Sequence, residues 1–216
     1  MQDKNLNPSY RRYFSNRRFV MATTMATLLF LFSLIVNFYA GSFATTHASN
    51  YVTDVILDNI PVYNVDLPFV YGPIVVFAIA AWLCFSEPRR LPFVLNSLAL
   101  FILIRSLFIT LTHIGPFPDR TVIDYTSQLI EKFTFGGDLF FSGHTGQPFL
   151  LGLIFHENRR LLIFFSAAAI FFGVVVLMGH LHYSIDVVAA FFITFTIYHL
   201  ARFIFKRDLK IFNEGL

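Results

Sequence analysis

Cysteine occurs once in these 216 residues, at Cys84, and charge is scarce too, at 13% Asp, Glu, Lys and Arg. A single thiol excludes an internal disulfide framework and leaves no cysteine-based metal site. So few charges exclude an ordinary soluble domain, in which about a quarter of residues are charged. Internal repeats and low-complexity linkers are absent as well, and the length suits one domain. What the chain has instead is apolar surface, 56% hydrophobic residues with 29 phenylalanines, the composition of a membrane protein.

A spanning helix needs roughly 17 to 25 mainly apolar residues. Six segments meet that length: Phe19–Ala40, Leu67–Phe85, Leu91–Thr112, Leu139–Phe155, Leu161–Gly179 and His182–Phe205. Short polar breaks, "SEPRRLP" (86–92) and "HENRR" (156–160), separate apolar runs, and two longer connections cover 41–66 and 113–138. The expectation is an all-α integral membrane bundle of six transmembrane helices. It divides into a basic tail (1–18), a catalytic bundle (19–205) and a short tail (206–216). The first segment exceeds the 7–15-residue core of a signal peptide and reads as an uncleaved anchor, although "ATTHAS" (44–49) faintly resembles a cleavage site.

Charge fixes the expected orientation. Lys4, Arg11, Arg12, Arg17, Arg18, Arg89, Arg90, Arg159, Arg160, Arg202, Lys206, Arg207 and Lys210 make 13 of the 16 basic residues, all on one side of that topology. The opposite loops hold only Arg120 and Lys132, against Asp54, Asp58, Asp66, Asp119, Asp124, Glu131 and Asp138. By the positive-inside rule both termini are then cytoplasmic. The basic tails could touch anionic head groups while serving as topology anchors.

Two polar clusters interrupt the apolar runs. "SGHT" (142–145) falls at the outer start of the fourth segment and "HYSID" (182–186) at the outer start of the sixth, at the same depth. His182 and Asp186 are four apart and would share a helix face. A carboxylate on one imidazole nitrogen fixes the tautomer and makes the other a better nucleophile or base. The bland alternative is a structural pair capping the helix. At "SGHT", free backbone N–H groups favour an anion. Gly143 lets a ligand approach, and Ser142 offers a hydroxyl and a cap. Taken alone it is no more than an N-cap. Together the two clusters supply a nucleophile, an orienter and an acid around an anion.

"GGDLFFSGHT" followed by "HLHYSIDVVAAFFI" resembles the sphingomyelin synthase-like branch of the type-2 phosphatidic acid phosphatase superfamily, over residues 136 to about 200. The resemblance implies transfer of a phospho-head group from a phospholipid donor to a lipid alcohol acceptor, ceramide- or diacylglycerol-like, through a phosphohistidine. It also implies that His182 is the nucleophile, Asp186 its orienter, and His144 the acid that later deprotonates the acceptor, with no metal or cofactor. The wider superfamily hydrolyses lipid phosphates, so a lipid phosphatase or phosphodiesterase with water as acceptor is the alternative. "FFGVVVLMGH" (171–180) lacks the phosphatase branch's cation, and hydrolysis of a dianionic monoester wants that charge. This favours transfer from a diester.

Further candidates are weaker. Arg105, in "IRSLFITLTHIGPFPD" (104–119), loosely matches the synthase branch, and a buried arginine needs a carboxylate or phosphate. It is either a site residue or half of a structural ion pair. Asp138 and His180 also have family counterparts, although His180 alternates with His182 and can point away. His113 and His156 read as interfacial, His156 on the wrong side. The site is expected to face the periplasm, lumen or exterior. No nucleic-acid partner is expected, and a silent scaffold or lipid-binding protein is the rival class.

Overall fold

The computed structural model describes residues 8–123 and 136–216. Among these the structure is helical, with no strand: α1 (Pro8–Phe14), α2 (Arg17–Thr46), α3 (Asp66–Ser86), α4 (Leu91–Leu111), α5 (Gly143–Ile154), α6 (Arg159–Met178), α7 (Ser184–Ile204) and α8 (Lys206–Glu214). Lys4 of the basic tail, and Asp124, Glu131 and Lys132 of the second long connection, lie outside the described residues.

Five helices are long and apolar enough to cross a membrane: α2, α3, the turn at Pro88–Arg90 continuing into α4, α6 and α7. Four match the expected segments to within two residues at either end. The first runs longer, 30 residues against the expected 22, because the apolar pattern continues through "GSFATT".

The fourth expected span needs correction. Helix forms only over the 12 residues Gly143–Ile154, about 18 Å of rise, short of the roughly 30 Å hydrocarbon core. Residues 139–142 are apolar but not helical, and Phe141 takes a left-handed backbone with φ 35°. Side chains elsewhere occupy the carbonyls there: Arg105 donates to Asp138 O and Phe141 O, and the His182 ring bonds Leu139 O. Hydropathy registers the side chains and not this diversion of the backbone.

Packing explains which helix is central. α2 meets α4 through small residues, Ala26, Ser33, Ala40 and Ala44, which let the two backbones approach. Its other faces stay exposed and apolar, as at Met21, Met25 and Leu28, the pattern of a lipid-facing helix. α4 is the most buried of the long helices and carries Arg105 into the interior. Gly146 permits the crossing of α5, since a Cβ there would lie 2.7 Å from the Phe101 ring.

The connections gather at two ends. At one, α1, the turn at Pro88–Arg90 and α8 meet: Arg89 donates to Asn213 O (2.9 Å), Asn96 to Asp208 Oδ2 (2.8 Å), and Tyr10 to Phe85 O. The foot of α5 reaches the same end, where the Arg90 guanidinium lies over Phe155. At the other end Ser49 N bonds His113 O, Tyr183 Oη bonds Gly115 O, and Thr121 N bonds Gly179 O. Asp54 belongs there too, accepting from Ser184 N at 2.7 Å and so capping α7 from 130 residues away.

Candidate active site

His182 precedes α7 by two residues, so the expected sharing of a helix face is not what joins it to Asp186. Asp186 turns back instead, at the third helical position: its Oδ2 accepts from Tyr183 N (3.0 Å) and meets His182 Nδ1 at 3.3 Å. This is the reciprocal half of a capping box, put to a second use. His182 Nδ1 also lies 3.0 Å from Leu139 O. A carbonyl only accepts, so Nδ1 carries the proton and the Nε2 lone pair is left for a ligand. Asp186 is fully buried, and its Oδ1 has no hydrogen-bond partner among the described residues.

His144 stands in the first turn of α5 and is held by Phe69 twice, through a hydrogen bond to its backbone and by stacking. Its ring lies 4.2 Å from Phe69 of α3 at an interplanar angle of 17°, with the Phe172 edge 6.3 Å away. Ser142 N donates to Asp186 O (3.1 Å), stitching the start of α5 to the first turn of α7. That bond brings the two distant motifs together, and both histidines line one cavity of about 570 Å³.

The first rung of the α5 ladder runs from Gly146 N to Ser142 O, so the N–H groups of Gly143, His144 and Thr145 precede it. The Ser142 hydroxyl makes no capping bond; it is fully buried, has no partner among the described residues, and is away from the cavity wall. Gly143 does line the cavity, and a Cβ there would sit 3.4 Å from Arg105 Nε.

Arg105 forms the ion pair that was one of its two expected readings, and it does so at the cavity wall. It pairs with Asp138 Oδ2 at 3.0 Å and is 7% exposed, yet its side chain and that of Asp138 line the same cavity. Arg120 adds a second cation to the wall, oriented by its bond to Gly136 O (3.0 Å). Nothing in the sequence signalled Arg120, which comes from a connection with no motif. His180 is placed elsewhere. It is buried edge-on to Phe117 at 5.1 Å with φ 53°, and neither ring nitrogen has a partner among the described residues. His113 lies near His47, and His156 sits at the opposite end, within 3.2 Å of Tyr198 Oη.

The ground under α7 is electrostatic as well. Burial pushes the Asp54 carboxyl up, but bonds from the backbone N–H groups of Ser184, Ile56 and Leu57 outweigh it and hold the group below the usual carboxylate range.

An imidazole held through Nδ1, a second imidazole, two guanidinium groups and Gly143 at the start of α5 line one cavity, which defines a class: a helical bundle with a histidine- and arginine-lined cavity. Residues 136–203 match the family described as PAP2 superfamily C-terminal, which covers less than half of the chain. The match supports the type-2 phosphatidic acid phosphatase superfamily, whose members are generally enzymes acting on phosphate esters. No curated protein matches the chain, and no solved structure matches it.

Proposed function

We propose that this chain is a multi-pass membrane phosphotransferase that moves a phospho-head group from a phospholipid to a lipid alcohol. The observation that carries this reading is the cavity shared by His144, His182 and Arg105, with His182 Nδ1 held by Asp186 and Leu139. In the first step His182 Nε2 attacks phosphorus, and the bond to the leaving lipid oxygen breaks as His144 protonates it. The phosphoimidazole that forms gains positive charge, which the buried Asp186 carboxylate offsets. In the second step His144 takes the proton of the incoming hydroxyl, the new P–O bond forms, and His182 is released. Arg105, Arg120 and the α5 N–H groups stabilise the equatorial oxygens. Ser142 acts at one remove, through its backbone bond to Asp186.

The reading includes six crossings with both termini cytoplasmic and the site towards the outer leaflet. The fourth crossing combines α5 with the non-helical 139–142, where the Leu139 and Phe141 carbonyls are bonded by protein side chains, as membrane depth demands. The cavity arginines also favour a second reading, hydrolysis. They provide the positive charge that the sequence around the second histidine lacks, although Asp138 already neutralises part of it.

One experiment separates the two. Purified enzyme in detergent is given phosphatidylcholine labelled in its phosphate, with ceramide or a diacylglycerol of different chain length as acceptor. Transfer yields a new labelled lipid, with slower leakage to water. If no new labelled lipid forms and the label passes from phosphatidylcholine to soluble phosphocholine, the enzyme is a hydrolase. If no phosphate ester is turned over at all, the enzymatic reading fails and the scaffold class takes its place.

A further inference from the structure

The cavity that holds the histidines is also lined by two carboxamides that the chemistry above does not use. Asn37 on α2 and Gln147 on α5 both line it, and neither side chain hydrogen-bonds to any described residue. Asn37 lies nine residues before the end of α2 at Thr46, about 13 Å inward along the helix axis. Gln147 is three residues beyond His144 on the same face of α5, about 4.5 Å deeper. Their neighbours on that wall, Leu34 and Ile102, are apolar. A primary amide among such neighbours at membrane depth is costly unless something occupies its donors and acceptor.

The same wall carries Arg120 and Thr121 from the connection, the site groups His144, His182 and Arg105, and the two amides beside apolar Leu34 and Ile102. A phospholipid with phosphorus at His182 brings the same set of groups into that cavity: head group, phosphate, ester or amide carbonyls a few bonds from phosphorus, and chains. Resting on the phosphotransfer reading, we propose that Asn37 and Gln147 form a subsite that reads the carbonyls of the lipid backbone. Their NH₂ groups donate to those carbonyls, which positions phosphorus along the cavity axis.

The test uses chain-matched pairs of diacyl and dialkyl-ether phosphatidylcholine, and of diacyl and dialkyl-ether phosphatidic acid, in mixed micelles. The ether lipids keep size, head group and charge and lose only the carbonyls. Wild-type kcat/KM should favour the diacyl member by about five- to tenfold, the usual worth of a hydrogen bond or two. In Asn37→Leu and in Gln147→Met the diacyl-to-ether ratio should fall towards one, a change that mere loss of stability would not produce. A wild type without preference, or variants that retain it, would mean that the amides hold only water, and the subsite is overturned while phosphotransfer stands. The wild-type comparison holds even if a variant fails to fold. If wild-type enzyme turns over neither lipid nor p-nitrophenyl phosphate, the underlying reading falls and the subsite with it.

Discussion

His144 and His182 face one cavity but are held by different physics. His182 is fixed through Nδ1 by a carboxylate and a backbone carbonyl, in a position that is 7% exposed. His144 is held flat against Phe69 by stacking. Hydrogen bonds to one nitrogen select a tautomer and aim the other, which is what a nucleophile requires. Stacking fixes the ring plane and the Phe69 backbone bonds one ring nitrogen, so the other nitrogen is the one left to give and take a proton within one turnover. The contrast, a carboxylate behind His182 and only a backbone group behind His144, fits the proposed roles.

The sharpest way to break that contrast is to remove each ring. His182→Ala should lose about 10⁴-fold or more in turnover, as when a member of a catalytic triad is removed. It should also trap no acid-labile, base-stable phosphoenzyme. His144→Ala should turn over natural lipids almost as poorly. Given a nitrophenyl phosphodiester, whose leaving group needs no proton, it should nevertheless accumulate phosphohistidine. If His182→Ala accumulates the intermediate instead, the roles are reversed.

Asp186 tests how far the second holder matters. The His–Asp pattern alone implies a loss of about 10⁴-fold on Asp186→Asn, through the wrong tautomer. The structure lowers that expectation. Tyr183 N must still find an acceptor, which orients the asparagine carbonyl as Oδ2 is now, and Leu139 O still holds Nδ1–H. Only the negative charge is lost, and we expect a fall of about 10²-fold in kcat, about 2.7 kcal/mol of barrier. A 10⁴-fold loss would show that Leu139 does not hold the tautomer.

What was legible follows from the same distinction between side chains and backbone. Apolar runs announce α2, α3, α4, α6 and α7, because crossing a membrane is a property of side chains. The pairing of His182 with Asp186 was legible as spacing, although a capping turn and not a shared helix face brings them together. Leu139 O, the kinked start of α5 and the Ser142–Asp186 bond are backbone features that no residue letter records. Arg120 and Asp54 escaped notice because loops place them, and a loop's path depends on contacts such as Thr121 N to Gly179 O. Ser142 drew attention as a cap, yet it holds the site through its N–H alone.

On the other side of the contrast, Phe69→Leu keeps an apolar neighbour for His144 and removes the ring. An aromatic pair is worth about 0.5–1.5 kcal/mol beyond its buried area, so kcat should fall roughly three- to tenfold. The loss should be larger for lipid substrates than for the nitrophenyl diester, since only the former depend on the proton from His144. Equal losses on both would mean that Phe69 shapes the cavity and does not orient the acid.

The smallest effect concerns the support beneath His182. Asp54 holds Ser184 N, at the first residue of α7, and its carboxyl sits below the ordinary range. A group whose folded pKa is depressed contributes stability above its unfolded value, near 3.9, and loses it as pH falls through the folded value. Thermal unfolding in detergent should therefore show a decline below about pH 4 to which Asp54 contributes. Asp54→Asn keeps an acceptor for Ser184 N, sets its NH₂ against Ile56 N and Leu57 N, and cannot titrate, so its curve should be flatter over that range and lower at pH 7. Because the asparagine carbonyl would preserve the position of α7, His182 should remain poised and turnover at pH 7 should change less than in any variant above. A variant that keeps the full acid-induced decline would move the titrating group away from Asp54, and the support of α7 would then be packing alone.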